Sequence, residues 1–188
     1  MARSRDVKNQ TPARRVLILG GARSGKSSFA EALAGRSDTA VTMIATAEAF
    51  DDEMWARIVA HRRSRPTEWT TIESPLRLAE ALARVPSADT AVIDCITVWM
   101  GNMFHHGASE SEVHAEVERF ITTMSQRRGS TYIVSNEVGL GIVPADEMTR
   151  TYRDALGRVN TRLAANVDRA VFMVAGRALE LRDVEDVV

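Results

Sequence analysis

The sequence predicts an α/β fold in which a mostly parallel sheet carries helices on both faces. Apolar segments of strand length, rich in β-branched residues, recur between longer segments with helical periodicity. Strands that alternate with helices form βαβ units, and these units make their strands parallel. The predicted strands are Val16–Leu19, Val41–Ala45, Ala91–Asp94, Tyr132–Ser135 and Ala170–Val174.

The segments between these strands carry the signals of helix boundaries. A Ser or Asp side chain caps the first turn, proline is tolerated there, and glycine often follows the last turn. The helices predicted on these signals are Ser27–Ala34, ending before Gly35; Asp51 to about Arg63; one capped by Ser74 with Pro75; one from the Ser109 and Glu112 capping box to about Arg127; and Asp146 to about Asn166.

Length and composition are those of one globular domain. The 188 residues are 45% hydrophobic and 26% charged, with a net charge of −1. The bulk charge therefore indicates neither nucleic acid nor a membrane surface as a partner. No apolar segment approaches the length of a membrane span. Cys95 is the only cysteine, so no disulfide can form within the chain, and a reducing, cytoplasmic location is expected.

The N-terminus differs from the rest of the chain. The first fifteen residues carry five basic side chains against one acid, Asp6, and lack the apolar core of a signal peptide. We expect residues 1–14 to be a disordered basic leader, with contact to RNA as the less favoured alternative. Residues 15–188 are expected to form a single catalytic domain.

The first predicted strand ends in a glycine-rich loop that opens a helix. The loop matches G-x-x-x-x-G-K-[ST], in which backbone N–H groups and the helix N-terminus face phosphate oxygens. Lys26 would reach the β- and γ-phosphates, and the Ser27 hydroxyl would ligate Mg²⁺. The chain has only one other lysine, Lys8. Nucleotide binding is therefore predicted at Gly20, Gly21, Ala22, Arg23, Ser24, Gly25, Lys26 and Ser27.

A second strand supplies the acid that a P-loop protein needs. Ala91-Val92-Ile93 is apolar and leads into Asp94, the Walker B pattern, so Asp94 is predicted to hold the Mg²⁺ shell with Ser27. No lysine follows Lys26, which excludes the N-K-x-D motif of switch GTPases. A small-molecule transferase is the favoured class.

The predicted helix that begins at Asp51 ends in a cluster of positive and titratable side chains. Taken alone, His61, Arg62, Arg63 and Arg65 suit an ordinary surface helix with a cationic last turn. Near a phosphate-binding loop they also suit phosphoryl chemistry. Arginines neutralise phosphate oxygens, and a neutral imidazole nitrogen is a nucleophile.

At this point the sequence resembles the adenosylcobinamide kinase/adenosylcobinamide-phosphate guanylyltransferase family. The resemblance runs from about Val16 to Arg182. It rests on several sequence blocks that occur in the same order. The most specific are SNEVGLGIVP and the predicted helix from Asp51 to about Arg63, which contains His61 and which we call the histidine helix. The blocks are GGARSGKS (20–27), IAT (44–46), DDEMWARIVAHRRSRP (51–66), WTTIESP (69–75), VIDCITVWMGN (92–102), SNEVGLGIVP (135–144) and YRDALGRVNTRLAANVD (152–168).

The resemblance implies two reactions in one cytoplasmic protein of cobalamin biosynthesis. ATP or GTP phosphorylates adenosylcobinamide, and GTP then guanylylates a histidine, from which GMP passes to adenosylcobinamide phosphate. It also implies a P-loop, RecA-like fold and a homotrimer. Mg²⁺ with the nucleotide is expected from the phosphate-binding loop and Asp94, and no nucleic-acid or membrane partner is expected from the charge and the lack of a long apolar segment. The basic leader is the main departure from the shorter members of the family.

The residue roles follow by matching motifs. The family's modified histidine lies in R-I-x-x-H-[KR]-x-x-R-P, so the resemblance assigns the covalent role to His61 and a catalytic role to Lys26. The expected GTP site adds to the loop Gly20–Ser27 the residues Ile44, Ala45, Thr46, Arg62, Arg63, Ser64, Arg65, Glu73 and Asp94.

Several other polar residues have more than one possible role. His105 and His106 either contact the corrin or a metal, or lie at a helix end on a subunit surface, which is favoured; His114 is expected to be solvated. Asn136 and Glu137 either contact cobinamide or belong to a turn that merely needs glycine. A non-catalytic nucleotide-binding regulator and a kinase without a covalent intermediate are the rival functions.

Overall fold

The computed structural model describes residues 14–49, 52–63 and 66–187 of the chain. Within these ranges seven strands form one sheet. The strands are β1 (Arg15–Gly20), β2 (Val41–Ala45), β3 (Thr70–Glu73), β4 (Thr90–Asp94), β5 (Thr131–Val134), β6 (Arg169–Val174) and β7 (Arg177–Leu181). Their order across the sheet is β3-β2-β4-β5-β1-β6-β7, and only the β6–β7 pair is antiparallel. The carboxyl ends of the six parallel strands therefore meet at one edge, where α/β sheets bind ligands.

Helices connect the parallel strands. They are α1 (Lys26–Ala34), α2 (Asp52–Arg63), α3 (Leu78–Ala83), α4 (Ile96–His105), α5 (Glu110–Ser125) and α6 (Glu147–Ala164), followed by a short 3₁₀ helix at Val184–Asp186. None of the described helices is both long and apolar enough to cross a membrane.

Two hydrophobic clusters lie on opposite faces of the sheet, because alternate residues of a strand point to opposite faces. On one face Val16 and Ile18 of β1 pack with Ala30 and Ala34 of α1. On the other, Leu17 and Leu19 pack in a larger cluster with apolar side chains of α3, α4, α5 and α6. The prediction of a mostly parallel sheet with helices on both faces is confirmed.

The five predicted strands are all present, with ends within one residue of those expected. Two strands were missed. Thr70–Glu73 is short and mostly exposed, and Arg177–Leu181 is exposed along its whole length. Neither carries the continuous apolar run of a buried strand, because both lie at the outer edges of the sheet.

Helix boundaries agree with the sequence signals except at Ser74. Its N–H donates to Ala45 O and so still extends the sheet ladder, and its hydroxyl donates to Arg77 O. The helix therefore begins only at Leu78, with Arg77 as N-cap, and the predicted Ser74 cap was wrong. Asp146 caps α6 by accepting from Thr149 N at 2.7 Å, as predicted. The proposed cap Asp51 and the leader up to residue 13 lie outside the described residues.

The capping box of α5 is present as predicted. Ser109 Oγ accepts from Glu112 N at 3.3 Å, and Glu112 Oε2 accepts from Ser109 N at 2.8 Å. We expect Ser109→Ala to lower the free energy of unfolding by about 1 kcal/mol, because the first turn loses a partner for an N–H group. Urea denaturation measures the effect, and Ser109→Thr is the matched control. Equal stability of the alanine and threonine variants would contradict this account.

Candidate active site

The glycine-rich loop requires glycine at two of its positions. Gly20 has φ 146°, and a Cβ there would lie 2.4 Å from Met173 O. Gly25 has φ 98° and caps α1 with the backbone in the left-handed region. The loop thus leaves β1 close against β6 and turns directly into the N-terminus of α1, as a phosphate-binding loop requires.

The turn between β6 and β7 braces this loop, a contact that the sequence did not reveal. Gly176 N donates to Ser24 O at 3.0 Å, and the Cα of Gly176 lies against Gly25. The edge hairpin therefore helps to hold the loop in place.

Lys26 lies folded over the loop that carries it. Its Nζ donates to Gly21 O at 2.6 Å and lies 3.5 Å from Ser24 Oγ, and the residue is only 7% exposed. Burial lowers the pKa of Lys26, while the negative charge of the nearby Asp94 acts in the opposite direction. Lys26 follows the loop after β1 and Asp94 ends β4, so both residues lie at the carboxyl edge of the sheet.

The end of β4 supplies the acid beside the loop. Asp94 is half-buried, and its carboxylate makes no hydrogen bond to the described residues; the same holds for the half-buried Ser27 hydroxyl. The adjacent Cys95 is different, because burial raises the pKa of its thiol to about 12. Cys95 is therefore a protonated thiol, and Asp94 is the available oxygen ligand of this strand end.

The segment after β2 is fixed by polar contacts. Thr46 is fully buried; its Oγ1 accepts from Cys95 N and donates to Cys95 O, both at 2.8 Å. Thr46 O accepts from Asn102 Nδ2 at 2.7 Å. The side chain of Ile44 lies in the core. The side chains of Ile44 and Thr46 are therefore not available to a nucleotide. In the segment Ile44–Thr46, only the backbone and the half-buried Ala45 side chain could contact one.

Two of the predicted nucleotide-site residues on different elements form an ion pair. Arg62, in the last turn of α2, pairs with Glu73 at the end of β3. This pair ties the carboxyl end of the histidine helix to the ligand-binding edge of the sheet. His61 and Arg63 lie in α2, but their side chains are outside the described residues, as are Ser64 and Arg65.

A buried polar network, which the sequence did not indicate, surrounds the end of β5. Asn160 of α6 accepts from Ser135 Oγ at 2.7 Å and donates to Asn136 O at 3.0 Å. Thr97 of α4 accepts from Asn136 N at 2.7 Å, and its carbonyl accepts from the Tyr152 hydroxyl at 2.7 Å. These partners are distant in sequence, so spacing could not have found them.

The remaining histidines are exposed on or beside α4 and α5. His106 Nε2 lies 3.0 Å from Glu48 Oε2, and its ring packs edge-on against His105 at the end of α4. The described residues contain no group of three His, Cys, Asp or Glu side chains suited to a metal. Both histidines are exposed at a helix end, and His114 is exposed on α5, as expected.

This geometry suits transfer chemistry on a nucleoside triphosphate. Backbone N–H groups of the loop, a buried ammonium and a strand-end carboxylate lie at one edge of the sheet. Such groups bind phosphates and stabilise the charge that develops when a phosphoryl group moves. The ion pair of Arg62 with Glu73 places the last turn of α2 at the same edge.

The chain is similar to known proteins over most of its length. Residues 16–181 match the family model described as cobinamide kinase / cobinamide phosphate guanyltransferase. The chain is 42% identical over 169 residues to the bifunctional adenosylcobalamin biosynthesis protein CobP of Pseudomonas aeruginosa, covering 89% of this chain and 97% of the relative. It is 37% identical over 180 residues to the bifunctional protein CobU of Escherichia coli, covering 89% and 99%.

The fold recurs where the sequence does not. A protein of Pyrococcus horikoshii OT3, solved in a structural study, superposes with a TM-score of 0.56 at 7% identity and covers 94% of this chain and 90% of its own. At that identity the likeness concerns the fold alone.

Proposed function

The chain belongs to the cobinamide kinase / cobinamide phosphate guanyltransferase family, and we propose that one nucleotide site at the carboxyl edge of its sheet serves both reactions. It is a bifunctional enzyme of adenosylcobalamin biosynthesis. The observation that carries the proposal is the fold of the Gly20–Ser27 loop, with the buried Lys26 ammonium donating to Gly21 O at the edge of the sheet where β4 ends in Asp94.

In the kinase reaction the loop holds the triphosphate of ATP or GTP. A hydroxyl of adenosylcobinamide attacks the γ-phosphorus, the bond to the β-phosphate oxygen breaks, and the hydroxyl proton is released. Lys26 and the loop N–H groups neutralise charge on the β- and γ-phosphates as that bond breaks. This step needs no covalent enzyme intermediate.

The residues present fit Mg²⁺. This ion favours one or two protein oxygens together with phosphate oxygens and water. Ser27 Oγ and the Asp94 carboxylate are half-buried oxygens without a hydrogen bond to the described residues. They would hold the ion, which when bound would neutralise phosphate charge.

In the guanylyl transfer we assign the covalent role to His61. A neutral imidazole nitrogen attacks the α-phosphorus of GTP, and pyrophosphate leaves. A phosphate oxygen of adenosylcobinamide phosphate then attacks the same phosphorus, the N–P bond breaks, and the histidine is regenerated. The Arg62–Glu73 ion pair supports this assignment, because it ties α2 to the edge where the phosphate loop lies.

The apolar loop after β5 is the proposed contact for the corrinoid. Glu137 N donates to Gly20 O at 3.1 Å, so the loop begins beside the phosphate site. Leu140 is 79% and Ile142 97% exposed, an unusual display of large apolar side chains. A macrocycle with an apolar face fits this surface, which we call the apolar loop (residues 138–143).

The double variant Leu140→Ser/Ile142→Ser is expected to raise the KM for adenosylcobinamide roughly tenfold or more, since each buried Leu or Ile contributes about 1.5–3 kcal/mol. Guanylylation of the enzyme by GTP alone should be unchanged. Steady-state kinetics with varied adenosylcobinamide measures the effect. Leu179→Ser, at an exposed leucine on β7, is the control. An unchanged KM, or a loss of subunit association in the double variant alone, would remove the loop from the substrate site.

We also propose that the chain acts as a cytoplasmic homotrimer, with residues 15–188 as one catalytic domain. The family resemblance and the single cysteine support this proposal. Native mass spectrometry tests the number of subunits.

Product analysis tests the function as a whole. With adenosylcobinamide and GTP the enzyme should form adenosylcobinamide phosphate first, then adenosyl-GDP-cobinamide and pyrophosphate. A regulator would bind nucleotide without forming either product. A kinase without a covalent step would stop at the phosphate.

A further inference from the structure

The strand β5 occupies the position between the two strands that carry the phosphate site. Val134 is in register with Ile18 of β1 on one side and with Asp94 of β4 on the other. The ladder with β1 continues beyond the strand, because Ser135 N donates to Ile18 O at 3.0 Å and Glu137 N to Gly20 O at 3.1 Å. Asn136 therefore lies opposite Gly20, the first residue of the phosphate loop.

The alternation of side chains gives the direction of Asn136. Val134 packs in the cluster on the α1 face of the sheet, and Ser135 points to the opposite face, where Asn160 binds it. The next side chain in the continued ladder returns to the α1 face. Lys26 begins α1 on that face, so Asn136 and Lys26 lie on the same side of the sheet.

The main chain of Asn136 is held on both sides. Its N–H donates to Thr97 Oγ1 at 2.7 Å, and its carbonyl accepts from Asn160 Nδ2 at 3.0 Å. Tyr152 in turn fixes Thr97 by donating to its carbonyl. The carboxamide of Asn136 makes no hydrogen bond to the described residues, although the residue is half-buried. The backbone of Asn136 is thus held in place while its carboxamide can bind a ligand. A donor held in this way is preorganised for its contact.

We propose that the Asn136 carboxamide donates through Nδ2 to the terminal phosphate of the nucleotide, and that Thr97 and Asn160 are the residues that position it. The inference rests on the proposed kinase function. The β- and γ-phosphates of a bound triphosphate lie between the P-loop lysine and the acid of the metal shell. In the sheet order β5 lies between the strands that lead to those two groups. A neutral donor there stabilises charge on the transferred phosphoryl group.

The proposal separates the two reactions. The terminal phosphoryl group is transferred in the kinase step, whereas guanylylation breaks the bond between the α- and β-phosphates and leaves the terminal phosphate in pyrophosphate. Loss of the Asn136 donor should therefore lower the kinase kcat far more than the rate of guanylylation.

The test measures both rates in Asn136→Ala, Thr97→Val and Thr97→Ser. We expect Asn136→Ala to lower the kinase kcat by roughly 100-fold, the usual effect of removing one such donor, with the KM for GTP and the rate of guanylylation changed only a few-fold. Thr97→Val keeps the shape of the side chain but deletes the acceptor for Asn136 N, and should lower the same kcat roughly tenfold. Thr97→Ser restores the acceptor and should rescue that loss.

The results that would contradict the role of Asn136 differ from the result that would contradict the proposed function. An Asn136→Ala enzyme with a normal kinase kcat, or one in which both rates fall equally, would overturn the inference. Equal kcat values in the valine and serine variants would remove Thr97 from it. Absence of phosphorylation by the unaltered enzyme would instead overturn the proposed function. Thermal melting identifies a variant that fails to fold, and Asn136→Leu, which also lacks a donor, then supplies the same comparison.

Discussion

Lys26→Ala is expected to suppress both reactions, by roughly 10²–10³-fold in kcat for each. Both reactions use the same phosphate cradle, and one preorganised electrostatic contact is typically worth about 3–4 kcal/mol in the transition state. The ammonium lies on the loop itself, donating to Gly21 O, so it is held ready for the phosphates. Parallel assays of adenosylcobinamide phosphorylation and enzyme guanylylation measure the effect.

Lys8→Ala is the natural control, because Lys8 is the other of the two lysines in the chain. It should leave both rates unchanged. Nucleotide affinity and thermal melting of Lys26→Ala separate lost binding from lost folding, since Lys26 is buried. Near-normal kinase turnover in a folded Lys26→Ala protein would contradict the shared cradle.

His61→Ala is expected to abolish transfer of label from [α-³²P]GTP to the enzyme and all guanylyl transfer, while phosphorylation of adenosylcobinamide remains measurable. The kinase step proceeds by direct attack on the γ-phosphorus, so it does not need the imidazole. The label on the unaltered enzyme should be lost in acid and survive alkali, as an N–P bond does. Measuring both activities on one preparation shows whether they separate.

Substitutions at the three remaining histidines, His105, His106 and His114, are the matched controls and should keep the label. His105 ends α4, His106 follows it and His114 lies on α5, and all three side chains are exposed. Uptake of label by His61→Ala protein would mean that the nucleophile lies elsewhere, and these three positions would be the next to test.

Most of the fold was predictable because its signals are local. The buried strands are nearly unbroken by polar residues, and the Gly20–Ser27 motif identifies the strand before it as the one that leads into the phosphate-binding loop. The capping residues Ser109 and Asp146 likewise act within a few residues of themselves. The edge strands Thr70–Glu73 and Arg177–Leu181 were not predictable in this way, because exposed strands lose the apolar pattern.

The site was predictable only in part, because only some of its residues belong to local sequence motifs. The glycine loop and Asp94 have motifs, and the histidine helix has a family pattern. Local signals can also mislead: Ser74 is a residue type that often caps helices, but its N–H donates to Ala45 O in the sheet, so the helix begins only at Leu78. The network of Thr97 and Asn160 around Asn136 joins residues separated by 24 and 39 positions, so only the assembled fold brings them together.

Intact mass spectrometry of the full chain after incubation with GTP and Mg²⁺ tests the covalent assignment most directly. We expect a gain of one GMP per chain, located by fragmentation at neutral or alkaline pH on the peptide that contains His61, and reversed on addition of adenosylcobinamide phosphate. An unmodified mass, or GMP on any other residue, would contradict it.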